Sequence, residues 1–387
     1  MGFYSEYLDL QFSFEKITAE RKKQLKKISD LRGGRDILVY ASDLSKKAPI
    51  MIDYSDILPF QDQISNLNGD SIDIILETPG GFAEIVEDLV NIVRSKYEKV
   101  GIIIPGYAKS AGTIFAMAGD EILMGIISSL GPIDAQIDSN NKRFSAEAFL
   151  EGLQKIKDEV TKDGKLNLAY IPILQNISPG EIQHCENAQD FSKILVTRWL
   201  SKYKFKYWDK HSSTGKPVSE EDKNKRANEI ADKLCRQSEW LTHGRSIKIN
   251  DFENMRLKIT NFSKMKELNE SIMRYYTLLR MSFETSIYKI FETVDSQIYR
   301  FVVPQGEKSK SPKIMQNDFA DINFECPKCK KHFLIQANLK PGFKLRPNHL
   351  PFPVENNNFR CPGCGLESNL SPVRLQIEAQ TGKKIVK

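Results

Sequence analysis

Between Asp36 and Met124 short apolar runs alternate with amphipathic ones, and no other feature of the chain limits its fold as strongly. Asp36–Ala41, Ile72–Glu77, Val100–Ile104 and Glu121–Met124 are brief and almost wholly apolar, as strands buried on both faces are. Between them, Tyr54–Leu67 carries Ile57, Phe60, Ile64 and Leu67 at helical spacing, and Phe82–Lys96 carries Ile85, Leu89 and Val93 on one face. Ser110–Ala118 reads as a short apolar helix. Strands that alternate with helices in this way predict βαβ units and a parallel sheet, an α/β fold.

The rest of the chain divides by pattern. Residues 1–35 read as a lead-in followed by a basic helix, Thr18–Leu31, whose Arg21, Lys22, Lys23, Lys26 and Lys27 are expected on a solvated face. Residues 36–260 form the α/β domain, with a largely helical stretch over 143–240. Ser263–Phe301 shows three- and four-residue apolar steps throughout, which predicts a long helical segment over 261–303. A Lys-, Ser- and Pro-rich linker is expected at 304–320, and a small cysteine-bearing domain at 321–387.

Two strand–helix junctions carry the chemistry. Glu77-Thr-Pro-Gly-Gly81 follows one strand, and Ala108-Lys-Ser-Ala-Gly-Thr113 follows the next. Gly80 and Gly81 permit a backbone turn closed to other residues, while Ser110 stands at the first turn of a helix, where N–H groups lack partners. Both junctions lie at the carboxyl ends of neighbouring parallel strands, where open α/β sheets bind ligands. The N–H groups of Gly80, Gly81 and Ala111 are therefore candidates for an oxyanion hole around a Ser110 nucleophile.

These residues, together with Gly119-Asp-Glu-Ile122, Gly131-Pro-Ile-Asp134 and, later, Trp240-Leu-Thr-His-Gly244, resemble the Clp/crotonase-fold serine peptidases related to signal peptide peptidase A and NfeD-type proteases. Among them the chain is most similar to the serine dehydrogenase (SDH) proteinase family, over roughly residues 36–260. The resemblance implies a Clp/crotonase-like fold with a helical extension, a peptide or protein substrate and a homo-oligomer. It gives Ser110 the nucleophile's place, and Gly81 and Ala111 the oxyanion donors'.

A serine hydroxyl needs a base. Where Clp proteolytic subunits have a histidine, this chain has Ile133-Asp-Ala-Gln136. By resemblance to NfeD-type proteases, Lys142 before the helix starting at Phe144 is the expected base of a Ser-Lys dyad. Lys109, His184 and His243 are the alternatives, and Asp134 is expected to orient a base or line the substrate groove.

Of six cysteines, four form two Cys-x-x-Cys pairs: Cys326 with Cys329, and Cys361 with Cys364. Four thiolates close a tetrahedral site, so a structural zinc ribbon is expected rather than a disulfide framework. Lys328, Lys330, Lys331, Lys340, Lys344 and Arg346, interleaved with Phe333, Phe343 and Phe352, suit a nucleic-acid or protein partner.

The net charge of +6, from 56 basic and 50 acidic residues, does not by itself point to nucleic acid. The best apolar runs are broken by Pro105 and Lys109 before they reach the length of a membrane span. The N-terminus lacks the basic region of a secretory signal, and cysteine usage suits a reducing compartment, so a cytoplasmic location is expected. The expected function is a soluble serine endopeptidase. The alternatives are a non-catalytic Clp-like scaffold whose ribbon binds a partner, and an acyl-CoA enzyme on the same superfold, which Ser110 disfavours.

Overall fold

The structure is a computed structural model that describes residues 2–10, 12–139, 142–211, 214–302, 318–381 and 383–387. Contacts divide the chain into two compact units, Met1–Phe301 and Val302–Lys387. The linker expected at 304–320 lies mostly outside the described residues.

The first unit is built on a seven-stranded sheet. Its strands in chain order are β1 (Asp36–Ser42), β2 (Ser71–Glu77), β3 (Lys99–Ile104), β4 (Glu121–Met124), β5 (Thr260–Asn261), β6 (Ile287–Glu292) and β7 (Gln297–Phe301). They lie in the order β7-β6-β1-β2-β3-β4-β5. β1 to β5 are parallel, with Val39 opposite Ile75, Ile74 opposite Ile102 and Ile103 opposite Leu123. The four strands expected from the sequence are thus the sheet's centre.

Successive side chains of a strand point to opposite faces, and both faces are buried. Leu38, Tyr40, Ile74, Leu76, Ile102 and Ile122 pack on one side with Phe60, Ile85, Leu89, Val93 and Phe115 from the helices Ile57–Ser65, Ala83–Lys96 and Ala111–Ala116. Ile37, Val39, Ile75, Ile103 and Leu123 pack on the other with Leu25 and Ile28 of helix Phe14–Leu31 and Ile272, Tyr275 and Leu279 of helix Lys266–Phe283. The result is a three-layer helix–sheet–helix unit. Helices Ala146–Asp163, Pro179–Trp199 and Glu220–Cys235 form the helical extension.

Two expectations are corrected. The long helix over Ser263–Phe301 ends at Phe283, and the remainder is the β6–β7 hairpin, which pairs antiparallel with β1. Ile287-Tyr-Lys-Ile-Phe-Glu292 is rich in β-branched and aromatic residues, and the turn is closed by Thr293 N–H donating to Ser296 O at 2.8 Å. Its apolar steps satisfy period two as well as a broken helical period. The basic face of Phe14–Leu31 is also not all solvated. Arg21 is fully buried and donates from Nε and Nη2 to the two carboxylate oxygens of Glu292, each at 3.1 Å. Lys22 Nζ lies 3.4 Å from the same carboxylate, whereas Lys23, Lys26 and Lys27 are exposed.

The second unit has a three-stranded sheet of Phe319–Glu325, His332–Asn338 and His349–Pro351, a hairpin of Asn358–Arg360 with Glu367–Asn369, and the helix Ser371–Thr381. Among the described residues no helix is long and apolar enough to cross a membrane.

Candidate active site

The two glycine and serine junctions are laced together by their backbones. Thr78 N–H donates to Tyr107 O at 3.1 Å, and Lys109 N–H donates to Thr78 O at 3.0 Å. Gly80 and Gly81 have φ of 104° and 153°. A Cβ on Gly80 would stand 2.7 Å from Ser110 Cβ, and one on Gly81 would stand 2.3 Å from Ile52 O. No side chain fits at either place. The loop is held from its other side by Ile52, whose N–H donates to Gly80 O at 2.8 Å and whose carbonyl accepts from Phe82 N–H at 3.0 Å.

Ser110 has φ 50° and ψ −120°, a region that L-residues seldom enter without functional cause. This kink lifts Ser110 out of the strand direction before helix Ala111–Ala116 begins and leaves it half-buried. Its hydroxyl makes no capping bond. Gly112 packs where a Cβ would lie 2.5 Å from Thr78 Cγ2, and Thr113 Oγ1 donates to Ala108 O at 3.0 Å while accepting from Gly131 N–H at 2.9 Å. Gly112 and Thr113 thus each have a local reason for their identity.

Of the three expected oxyanion donors, Gly80 is already engaged: its N–H donates to Thr78 Oγ1 at 3.2 Å. The N–H groups of Gly81 and Ala111 have no acceptor among the described residues.

Beyond Ser110 the chain returns to this corner twice. Leu130 pairs in parallel with Ala108, and on its other side exchanges both backbone hydrogen bonds with Ile247, at 3.1 and 2.9 Å. The first return carries Asp134, which is buried, and the second carries His243. His243 Nδ1 lies 2.8 Å from Asp134 Oδ1, while Gln136 Nε2 donates to Oδ2 at 2.7 Å. A proton on Nδ1, directed at the carboxylate, would leave Nε2 as the ring nitrogen able to accept one. A ring oriented in this way is what a general base requires.

The other expected bases fare differently. His184 is exposed on helix Pro179–Trp199. Lys142 opens the strand Lys142–Ser145, paired with Gln136–Ser139, and its side chain lies outside the described residues. Lys109 Nζ donates to Leu130 O at 2.9 Å, Ser246 Oγ at 3.0 Å and Arg245 O at 3.2 Å. Burial, with a smaller effect of Lys248, brings its pKa down to about 8.

Glu77 was not anticipated as a site residue. It ends β2 directly before Thr78 and is fully buried, and burial pushes its carboxyl up to about 7 against the opposing pull of Arg280, Tyr107 and Tyr276. Arg280 Nη1 donates to Glu77 Oε1 at 3.1 Å. An acidic residue at the buried end of the apolar run Ile74–Leu76, directly before the glycine turn, is the signal that marks it.

In the second unit Cys326, Cys329, Cys361 and Cys364 bring their sulfurs within 4.8 Å of one another, a group able to hold a metal ion. The two turns are built alike. Cys326 O accepts from Lys330 N–H and Cys361 O from Gly365 N–H, both at 2.9 Å, and Lys330 and Gly365 share a left-handed φ of 59° and 73°. Sulfurs on a zinc ion at about 2.3 Å would stand about 3.8 Å apart. The 3.5 Å of Cys326–Cys364 and 3.7 Å of Cys329–Cys361 fit that tetrahedron. The N–H groups of Cys329 and Lys328 lower the Cys326 thiol to about 6, toward the thiolate a metal needs.

Comparison with known proteins finds similarity over part of the first unit. Residues 12–188 match the model of the family described as ClpP-like SDH-type serine proteinase. Two uncharacterized proteins of Methanocaldococcus jannaschii are similar: one is 38% identical over 88 residues, 23% of this chain and 30% of that protein, and the other 28% identical over 142 residues, 34% of this chain and 48% of that protein. The chain therefore spans less than half the length of either relative. Among solved structures, two mutants of the 1510-N membrane-bound stomatin-specific protease match 30% of this chain. One covers 60% of that chain at 25% identity and a TM-score of 0.23; the other, in complex with a substrate peptide, covers 57% at 23% identity and a TM-score of 0.22. The segment 12–188, which holds both junctions, is thus similar to the ClpP-like SDH-type serine proteinases.

Proposed function

We propose that the first unit is a serine peptidase in which Ser110 is the nucleophile, His243 the general base and Asp134 the group that orients it. The observation that carries this reading is the His243–Asp134 contact of 2.8 Å, on the two segments that flank Leu130 beside the Ser110 junction. Ser110 Oγ bonds to the scissile carbonyl carbon as its proton passes to His243 Nε2. The carbonyl oxygen takes negative charge, which the N–H groups of Gly81 and Ala111 meet. The C–N bond then breaks, and the leaving amine takes the proton from His243. Water attacks the ester, gives a proton to His243, and the acyl group leaves as the acid while Ser110 regains its proton.

This assignment replaces Lys142 with His243 as the preferred base, because His243 has the oriented ring the step requires. Rates of acylation by a peptide ester separate the two. His243→Ala is expected to lower the rate by about 10²–10⁴-fold, with Asp134→Asn close behind and Lys142→Met unchanged. A loss confined to Lys142→Met would return the base to the Ser-Lys dyad.

In the second unit we assign the four cysteines to structural zinc. The ion would close the two matched turns around one centre and, having four protein ligands, would take no part in hydrolysis. Elemental analysis should find one zinc per chain, and Cys361→Ser should lose it.

A further inference from the structure

Lys109 precedes the nucleophile, yet the proposed chemistry does not use it. An ammonium has three protons to donate, and Lys109 Nζ has three oxygens at 2.9, 3.0 and 3.2 Å: Leu130 O, Ser246 Oγ and Arg245 O. Leu130 leads into the segment that carries Asp134. Arg245 and Ser246 follow His243 directly. One charge therefore joins three stretches of chain, those of Ser110, Asp134 and His243. The fit is close on the near side too, since a Cβ on Gly131 would stand 2.9 Å from Lys109 Cδ.

The segment that Lys109 grips is exposed. Leu241, Thr242, Gly244, Arg245 and Ser246 face solvent, so core packing reaches this segment at its ends, through Trp240 and Ile247, and not along its middle. Its other ties are the Ile247–Leu130 pair, the Asp134 contact and Lys248, whose Nζ donates to Ile127 O at 3.0 Å and Ser128 O at 2.9 Å. Ile247 and Lys248 hold the far end of the segment, and Lys109 is the tie that reaches from the nucleophile's own backbone.

We propose that Lys109 is a positioning residue: its ammonium clamps the Arg245–Ser246 backbone and Leu130 to the Ser110 junction, and so fixes His243 and Asp134 against the nucleophile. This rests on the reading of Ser110 and His243 given above. It also assigns Lys109 a role other than base, since all three of its protons are committed to acceptors.

The test is the second-order rate of fluorophosphonate labelling of Ser110 in the full chain, followed by intact mass. Lys109→Met should slow labelling by about 10- to 100-fold, the order of loss that follows from a misplaced catalytic group. Lys109→Arg, which keeps the charge, should recover most of it. A purely structural role would not move the pH profile, but a clamp should. The wild-type rate should fall above about pH 8 as the ammonium deprotonates, and Lys109→Arg should hold its rate through pH 9.5. Lys248 is the charged group that acts on Lys109, so Lys248→Met should move the wild-type fall to higher pH. If Lys109→Met does not fold, the Arg variant and its alkaline limb decide. Wild-type labelling rates in Lys109→Met, or an alkaline fall that Lys109→Arg leaves in place, overturn the clamp while Ser110 stands. A wild-type protein that never labels overturns the serine-peptidase reading, and the clamp with it.

Discussion

The two candidate sites of this chain are assembled in opposite ways. The cysteine site takes its ligands from two local turns of the same design, each closed by its own backbone hydrogen bonds. The candidate serine site takes Ser110 from one strand–helix junction, the Gly81 N–H from another, and the Asp134–His243 pair from two later returns of the chain. A site spelled by local turns depends on its ion for cohesion. A site gathered from distant segments depends on the sheet that delivers them and on the contacts that fasten their ends.

The sharpest break in that comparison comes from metal removal. Structural zinc in small domains contributes about 10–16 kcal/mol of apparent binding energy. Chelation or Cys326→Ser is therefore expected to unfold the second unit, with loss of amide-exchange protection over 319–369. Helix and sheet of the first unit should keep their protection. Unfolding of both units together would contradict the independence of their cores.

A smaller but still large effect is expected at the oxyanion loop. Gly81→Ala places a methyl 2.3 Å from Ile52 O and must displace the loop. Peptidase activity should fall by about 10²–10³-fold, the usual cost of one lost donor, and the thermal midpoint should fall with it because the clash is with backbone. A variant that acylates at the wild-type rate would show that the N–H of Gly81 is not used.

The smallest effect concerns Glu77. Its pKa is raised when folded, to about 7, above the value near 4.5 that it has unfolded. A raised carboxyl pKa means the folded state holds the proton longer, so the stability tied to the protonated form is complete below about pH 4.5 and is lost as pH rises toward 7. Glu77→Gln, which keeps the neutral form, should gain thermal midpoint relative to wild type between pH 5 and 7.5. A difference that does not vary with pH would mean that the carboxylate is well served by Arg280.

Much of this was legible in the chain because the evidence is local. Buried parallel strands show as short, mostly apolar runs, and the paired junctions Thr78–Gly81 and Lys109–Thr113 show as motifs because close approach leaves no room for a side chain at Gly80, Gly81 and Gly112. The matched Cys-x-x-Cys turns show for the same reason. Asp134 and His243 were legible as separate candidates but not as a pair, since nothing in their spacing indicates that Leu130 and Ile247 bring their segments side by side. Helical steps in Ile287–Phe301 concealed a hairpin, because apolar residues there fit either period and the pairing with β1 decides between them. Arg21 was hidden likewise: a charge on a basic helix reads as solvated until Glu292, from the far end of the chain, stands opposite it.

The central claim is that Ser110 is an activated nucleophile. It is tested most directly by intact-mass spectrometry of wild type and Ser110→Ala after exposure to fluorophosphonates and β-lactones. The account predicts one adduct on the wild type, mapped to Ser110, none on the mutant, and an adduct rate that falls in His243→Ala. An unmodified wild type, or equal labelling of the mutant, would contradict it.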